Sequence, residues 1–244
     1  MRNIVARLYA KICLRARCAI DQVGQPADLV GGIGPNAEAL RAEALRRARL
    51  DKTMASAFTH AFFAASLGTV MVPPRWKVIA AGALFAVLPD ADVVAFAVGI
   101  PYAAMLGHRG LSHSLAFAAA LALLLTYAWK RHWRVPENSV ESATDEPSAE
   151  RMAAYLFLAI ASHGVLDALT NGGLGVAFFA PFSSRRYFFP WRPIVVSPIS
   201  VHRFFSERGL AVLASELVIV WIPSIAFAIA AFASRRFRRA RAGN

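Results

Sequence analysis

Four of the six histidines in this 244-residue chain stand with acidic residues at the edges of apolar segments. His60 opens the first apolar run, and Pro89-Asp90-Ala91-Asp92 interrupts the second. His108-Arg109-Gly110-Leu111-Ser112-His113-Ser114 opens the third, and His163 with Asp167 lies in the fourth. Ionisable groups in or beside membrane-length apolar stretches are costly unless paired or metal-bound, so each marks a candidate functional site. Neutral imidazole and carboxylate together are the usual donor set for zinc or manganese.

The composition fits that placement. The chain is 57% hydrophobic and 17% charged, with a mean hydropathy of +0.46, too apolar for an ordinary soluble domain. Its net charge of +12 in a soluble protein would point to nucleic acid. Here the arginines cluster beside apolar segments, which fits topology signals and anionic lipid, and no nucleic-acid partner is expected. Cys13 and Cys18 form one C-x4-C pair with no second pair, a poor zinc site.

Five apolar segments are expected to position the candidate residues, at about 58–72, 78–100, 112–129, 152–170 and 210–233. The expected fold is an all-α, multi-pass membrane bundle of four to five transmembrane helices, although the first segment is short against the roughly 20 residues of a crossing. Pro73-Pro74 ends the first segment and forces a tight turn into the second. Residues 130–150 read as a charged, Ser/Pro-rich loop. Residues 171–209, rich in Gly, Pro and aromatics, read as a segment resting at the membrane interface.

Residues 1–53 carry ten Lys/Arg and differ from the rest, so they read as a basic extension outside the core, with 54–233 the membrane-embedded domain and 234–244 a basic tail. Without the extension the basic residues divide eleven to six between the two sides and favour a cytoplasmic C-terminus; with it the balance reverses.

The helical hairpin plan brings the polar residues to one level. His60 and Asp90 lie equally far from the turn at Arg75, Asp92 and His108 flank the next turn, and the fourth segment returns His163 and Asp167 to the same side. Helical bundles build metal sites in this way, from side chains on facing helices. His163 and Asp167 are spaced i, i+4 and share a helix face, although His-x-x-x-Asp alone is a weak signal and His163 alone reads equally as a core histidine. Asp90 and Asp92, spaced i, i+2, point to different sides of a helix that Pro89 bends, so one can bind metal while the other orients a histidine. Ser112 is expected to cap the third helix, with His113 facing inward. Arg109 is a bidentate clamp for phosphate or carboxylate, or else a snorkelling interfacial residue. His132 reads as solvated. His202 and Glu216 are additional ligand candidates, Glu216 alternatively pairing with Arg192 or Arg203. No Gly-x-Ser-x-Gly elbow supports serine catalysis.

These motifs, together with Phe58-Thr59-His60, Ser162-His163-Gly164-Val165-Leu166-Asp167-Ala168-Leu169-Thr170-Asn171 and Ala180-Pro181-Phe182, resemble the YdjM-type family of bacterial inner-membrane proteins, described as metal-dependent hydrolases. The resemblance runs from Met54 to about Pro223, and family members usually start just before the first His-bearing helix. The order His, Asp, His, His-x-x-x-Asp is also similar to zinc-dependent phospholipase C and P1 nuclease. That similarity implies His60, Asp90, His108, His113, His163 and Asp167 as ligands of a divalent metal, zinc by analogy. A second His-x-x-x-Glu/Asp for a full three-metal cluster is missing.

The resulting expectation is a membrane hydrolase with one or two divalent metals, acting on a phosphate ester or lipid-linked substrate through metal-activated water. Asp90 or Asp92 would serve as general base, and Arg109 would hold the anionic substrate. A metal-ion transporter or a non-catalytic membrane protein with a structural metal are the alternatives.

Overall fold

The computed structural model describes residues 53–54, 56–73, 75–132, 146–198 and 207–242. The reading of 1–53 as a basic extension lies, but for Thr53, outside the described residues, and so does His202. The described residues are mostly helical, with stretches of turns and loop and a short antiparallel ladder in which β1 (Thr53–Met54) pairs with β2 (Ser197–Pro198), Thr53 opposite Pro198.

Helix α1 (Ala57–Met71) starts at Ser56, whose side chain accepts from the Thr59 N–H, and stops before Pro73. Helix α2 (Trp76–Val87) follows directly. Pro89 was expected to bend a continuous helix; instead the winding tightens, and Leu88–Phe96 is a 3-10 segment. The physical reason is the missing proline N–H, which removes an α-type hydrogen bond where α2 ends. A run of turns leads to a single 3-10 turn, Leu111–His113, and then α3 (Leu115–His132). Ser112 does not cap α3. Ser114 does, its Oγ accepting from the Phe117 N–H at 3.1 Å. Helix α4 (Ala149–Ala168) is capped by Ser148.

Beyond α4 the chain folds back on the helix end. Thr170 and Ile194 form one bridge, Val176 and Tyr187 another, and the Asn171 carboxamide oxygen accepts from the Val196 N–H. Helix α5 (Glu207–Glu216) continues through a π-wound turn, Leu217–Trp221, into α6 (Ile222–Ala242). Pro223, without a donor, stands two residues beyond that turn.

The core between α1, α2, α3 and α4 is built from small residues, Ala64, Ala86, Ala118, Ala122 and Ala159, with Met152, Tyr155, Leu156 and Ile160. Small residues let helix backbones approach closely where lipid offers no hydrophobic drive to associate. Tyr155 fills the slot this leaves: its hydroxyl meets the carbonyls of Ala64 and Ile79, each at 3.1 Å, and faces Gly68 and Gly82.

Length and composition single out two helices that can cross a membrane, Trp76–Phe96 and Gly209–Phe237, with mean hydropathies of 1.9 and 2.3; Ala57–Met71 is apolar but shorter. Four or five spans were expected. Helix α3 ends in Lys130, Arg131 and His132, and α4 carries Glu150, Arg151, His163 and Asp167, which lowers the apolarity of both. Only 11% of the Gly209–Phe237 window is buried, so Phe227, Ile229 and Phe232 present an uncovered apolar surface that suits lipid.

Candidate metal centre

The 3-10 segment, the Leu111–His113 turn and α4 converge on one buried cluster. One ligand atom from each of Asp90, His113, His163 and Asp167 lies within 4.8 Å of the others, a separation suited to a metal ion. Asp90 Oδ1 is 3.2 Å from His163 Nε2 and 3.8 Å from His113 Nε2. Asp167 Oδ2 is 3.3 Å from His113 Nε2 and 3.8 Å from His163 Nε2. Ligands about 2.0–2.2 Å from a tetrahedral ion stand about 3.3–3.6 Å apart. The donor chemistry and the spacing therefore both fit a divalent cation.

The imidazole orientations are set by partners behind them. His163 Nδ1 meets the Ala86 carbonyl at 2.7 Å, which keeps its proton there and leaves Nε2 toward the carboxylates. His113 Nδ1 lies 3.2 Å from Asp92 Oδ2 and 2.9 Å from Ser112 Oγ. Asp92 also holds His108, Oδ1 to Nδ1 at 2.6 Å, and accepts from Ser112 Oγ at 2.5 Å and from the Arg109 N–H at 3.2 Å. Asp90 thus belongs to the four-atom set while Asp92 stands behind the histidines. The tight winding of the 3-10 segment separates the two carboxylates in this way.

His60 and His108 lie beside the four-atom set. The His60 ring stacks on His163, centroids 3.7 Å apart and planes 14° from parallel, with Nε2 3.9 Å from Asp167 Oδ1. His108 forms a neighbouring group with Asp92 and His113. Both histidines are fully buried. Neither His60 nitrogen, nor His108 Nε2, nor Asp90 Oδ2 has a hydrogen-bond partner among the described residues.

The carboxylate that Arg109 clamps is internal. Its guanidinium reaches Asp167 twice, Nη2 to Oδ1 at 3.1 Å and Nε to Oδ2 at 3.0 Å, and Nη1 donates to the Gly172 carbonyl at 2.9 Å. Arg109 is fully buried and has a φ of 60°, a left-handed backbone that costs an L residue about 1–2 kcal/mol. Gly173, itself at φ 87°, leaves room for it: a Cβ there would sit 2.7 Å from Arg109 Nη1.

Glu216 lies elsewhere. Its carboxylate is fully buried and accepts from the Ser56 N–H at 2.7 Å, Ser56 Oγ at 2.6 Å and Thr59 Oγ1 at 2.8 Å. It caps α1 and pairs with neither Arg192 nor the cluster, a favourable place for negative charge at a helix N-terminus. His132 is exposed in the last turn of α3.

Of three supporting residues, Ser112 was read for another role and Arg186 and Tyr102 carried no signal in the sequence. Ser112 hydrogen-bonds Asp92 instead of capping a helix. Arg186 donates to the carbonyls of Tyr102, Ala104 and His108 at 3.0–3.1 Å, and so ties the 176–187 loop to the His-Arg-Gly motif. The Tyr102 ring stands edge-on to His108, centroids 5.2 Å apart, and burial raises its phenol pKa above the usual value. No spacing rule links an arginine to carbonyls some 80 residues away.

The fold and the cluster define a helical membrane protein whose buried His/Asp group lies within metal-binding distance. The YdjM inner membrane protein family matches residues 54–239, and the chain belongs to that family. It is 38% identical over 161 residues to the inner membrane protein YbcI of Escherichia coli strain K12, a match covering 65% of this chain and 84% of the relative. Family and relative agree on the bacterial inner membrane as the location, and their names state no reaction. No solved structure matches the chain.

Proposed function

We propose that residues 54–233 form a metal-dependent hydrolase of the membrane, acting on a phosphate ester or lipid-linked substrate, with 234–244 a basic tail. In this reading Asp90, His113, His163 and Asp167 hold the ion, and zinc suits a donor set of two imidazoles and two carboxylates. When bound, the ion supplies Lewis acidity toward a phosphoryl or carbonyl oxygen and acidifies water.

The chain's own residues supply the rest. Asp92 fixes His113 and His108 by their Nδ1 atoms. Because both Asp92 oxygens are engaged, the base role expected of it passes to the Asp92–His108 pair, with the unbonded His108 Nε2 as the atom that takes a proton. The carboxylate then stabilises the imidazolium, as a buried acid does for a catalytic histidine. Arg109 keeps Asp167 ionised and oriented instead of reaching for substrate. Phe182 and Trp191, 89% and 62% exposed on the loop that Arg186 ties to the site, support a position at the interface where a lipid-linked substrate is at hand.

One observation carries the enzymatic reading: buried donor atoms remain beyond those the four-atom set uses. His60 Nδ1 and Nε2, His108 Nε2 and Asp90 Oδ2 have no hydrogen-bond partner among the described residues, each at a desolvation cost of about 1–3 kcal/mol. A purely structural ion needs none of them. The opposite reading, a structural metal, draws on the four protein donors themselves, since closed sites of that kind are structural and catalytic ones keep a position open.

Metal analysis of purified protein, followed by phosphodiester and lipid hydrolysis assays with and without chelator, separates the two. Turnover that disappears with the metal is expected. Stoichiometric metal with no turnover of any phosphate ester, lipid or amide above the metal-free control would overturn the hydrolase reading in favour of the structural one.

A further inference from the structure

We propose that Arg186 is a positioning residue for the metal centre: it locks the backbone at His108 and Arg109 in the left-handed turn from which the Arg109 guanidinium reaches Asp167. This role rests on the metal-binding reading above and adds the residue that aims one ligand from outside the cluster.

Arg109 is the one non-glycine residue with a positive φ among the described residues. A left-handed conformation persists in such a residue only where its surroundings over-determine it. Here both peptide groups flanking the Arg109 Cα are held. The one before it is held at both ends: the His108 carbonyl accepts from Arg186 Nη1 at 3.0 Å, and the Arg109 N–H donates to Asp92 Oδ2 at 3.2 Å. The one after it is held at its oxygen, which accepts from Arg186 Nη1 at 3.3 Å and from the Ala177 N–H at 3.0 Å. Peptide groups are planar, so holding two in succession sets the φ and ψ between them. Arg186 alone among these partners meets both planes.

An arginine suits this task. The same guanidinium donates through Nη2 to the carbonyls of Tyr102 at 3.0 Å and Ala104 at 3.1 Å, and through Nη1 to that of Gly175 at 3.3 Å. It lies over the Tyr102 ring, 5.6 Å from the centroid. A planar fork gathers carbonyls from three stretches of chain, which a flexible ammonium does not. Its own place is set by the bridge between Val176 and Tyr187, where each N–H donates to the other's carbonyl at 2.9 Å.

The effect reaches the ion through Arg109. From this turn its side chain meets both oxygens of Asp167, whose Oδ2 is the atom that His113 and His163 approach. Once the turn is released, the backbone relaxes toward its ordinary regions and the guanidinium leaves the carboxylate. Groups that orient a metal ligand from behind are worth about 10–100-fold in metal affinity.

The test uses the full-length protein in detergent with Co2+ as the probe, its affinity measured against a chelator and its visible ligand-field spectrum recorded. Arg186→Gln should weaken Co2+ binding about 10–100-fold and alter the spectrum, although no ligand has been changed. Arg186→Lys should recover little, and Arg186→Gln should add little to the loss that Arg109→Lys causes alone. Gly82→Ala, which loosens the helical core far along the chain, should leave the spectrum as it is. Wild-type affinity and spectrum in Arg186→Gln overturn the proposal. So do additive losses in the double variant, which deny action through Arg109, and so does an equal spectral change in Gly82→Ala, which would make the effect general loosening. Should Arg186→Gln fail to fold, Arg186→Lys is read by the same two measurements, and wild-type values there overturn it. A wild-type protein that binds no Co2+ overturns the metal-binding reading itself.

Discussion

Asp92 holds His108 by a 2.6 Å contact between Oδ1 and Nδ1, across sixteen residues and between the 3-10 segment and the run of turns that follows it. The contact orients one imidazole from behind and, through the second oxygen, a neighbouring one at 3.2 Å. A carboxylate so placed acts through the histidines it holds.

Asp92→Asn should therefore retain most of the metal and lose activity. General-base losses run about 10²–10⁴-fold in rate, and loss of a carboxylate behind a ligand costs about 10–100-fold in metal affinity. Metal content and turnover measured on one preparation check this. An Asn variant stripped of metal would make Asp92 a direct ligand.

His163→Ala removes a donor and its anchor on the Ala86 carbonyl together. It should lose metal outright, with turnover following metal content. Retention of stoichiometric metal would remove His163 from the donor set.

Arg109→Ala leaves Asp167 a buried carboxylate without the guanidinium that meets both of its oxygens. Breaking a buried pair from one side costs about 3–5 kcal/mol. Thermal unfolding in detergent should shift sharply down, and Arg109→Lys should recover little, because an ammonium cannot make the two parallel contacts. An unfolding midpoint within error of wild type would refute the pairing.

Glu216→Gln should leave metal content unchanged while weakening the junction of α1 with the end of α5. The carboxylate accepts three hydrogen bonds from Ser56 and Thr59, and hydrogen bonds to a charged acceptor contribute about 1.5–3 kcal/mol each. Reduced stability with full metal is the expected pair of results. Lost metal would tie Glu216 to the cluster.

A Cβ on Gly82 would overlap the Tyr155 hydroxyl. Gly82→Ala should destabilise by about 1–3 kcal/mol through overpacking, and Tyr155→Phe, which removes the hydroxyl, should relieve part of that cost in the double variant. Additive losses would show that the two do not share the slot.

The helical class and the membrane setting were legible in the sequence alone. The apolar segments need only hydropathy to be read, and the i, i+4 pair of His163 and Asp167 follows from helical periodicity. Equal spacing of His60 and Asp90 about Arg75 suffices to bring them level in a hairpin, and the structure does bring both to the cluster through His163. How the donors are shared out depends on packing. Whether Asp90 or Asp92 faces the histidine edges depends on the 3-10 winding after Pro89, which a rule for regular helices misses. The partners of Arg109 and Glu216 depend on which segments pack against them. A buried charge takes the nearest complementary group in space, and for Arg109 that group is 58 residues away, for Glu216 about 160. Local pattern cannot register such distances, because they are set by how the helices stack.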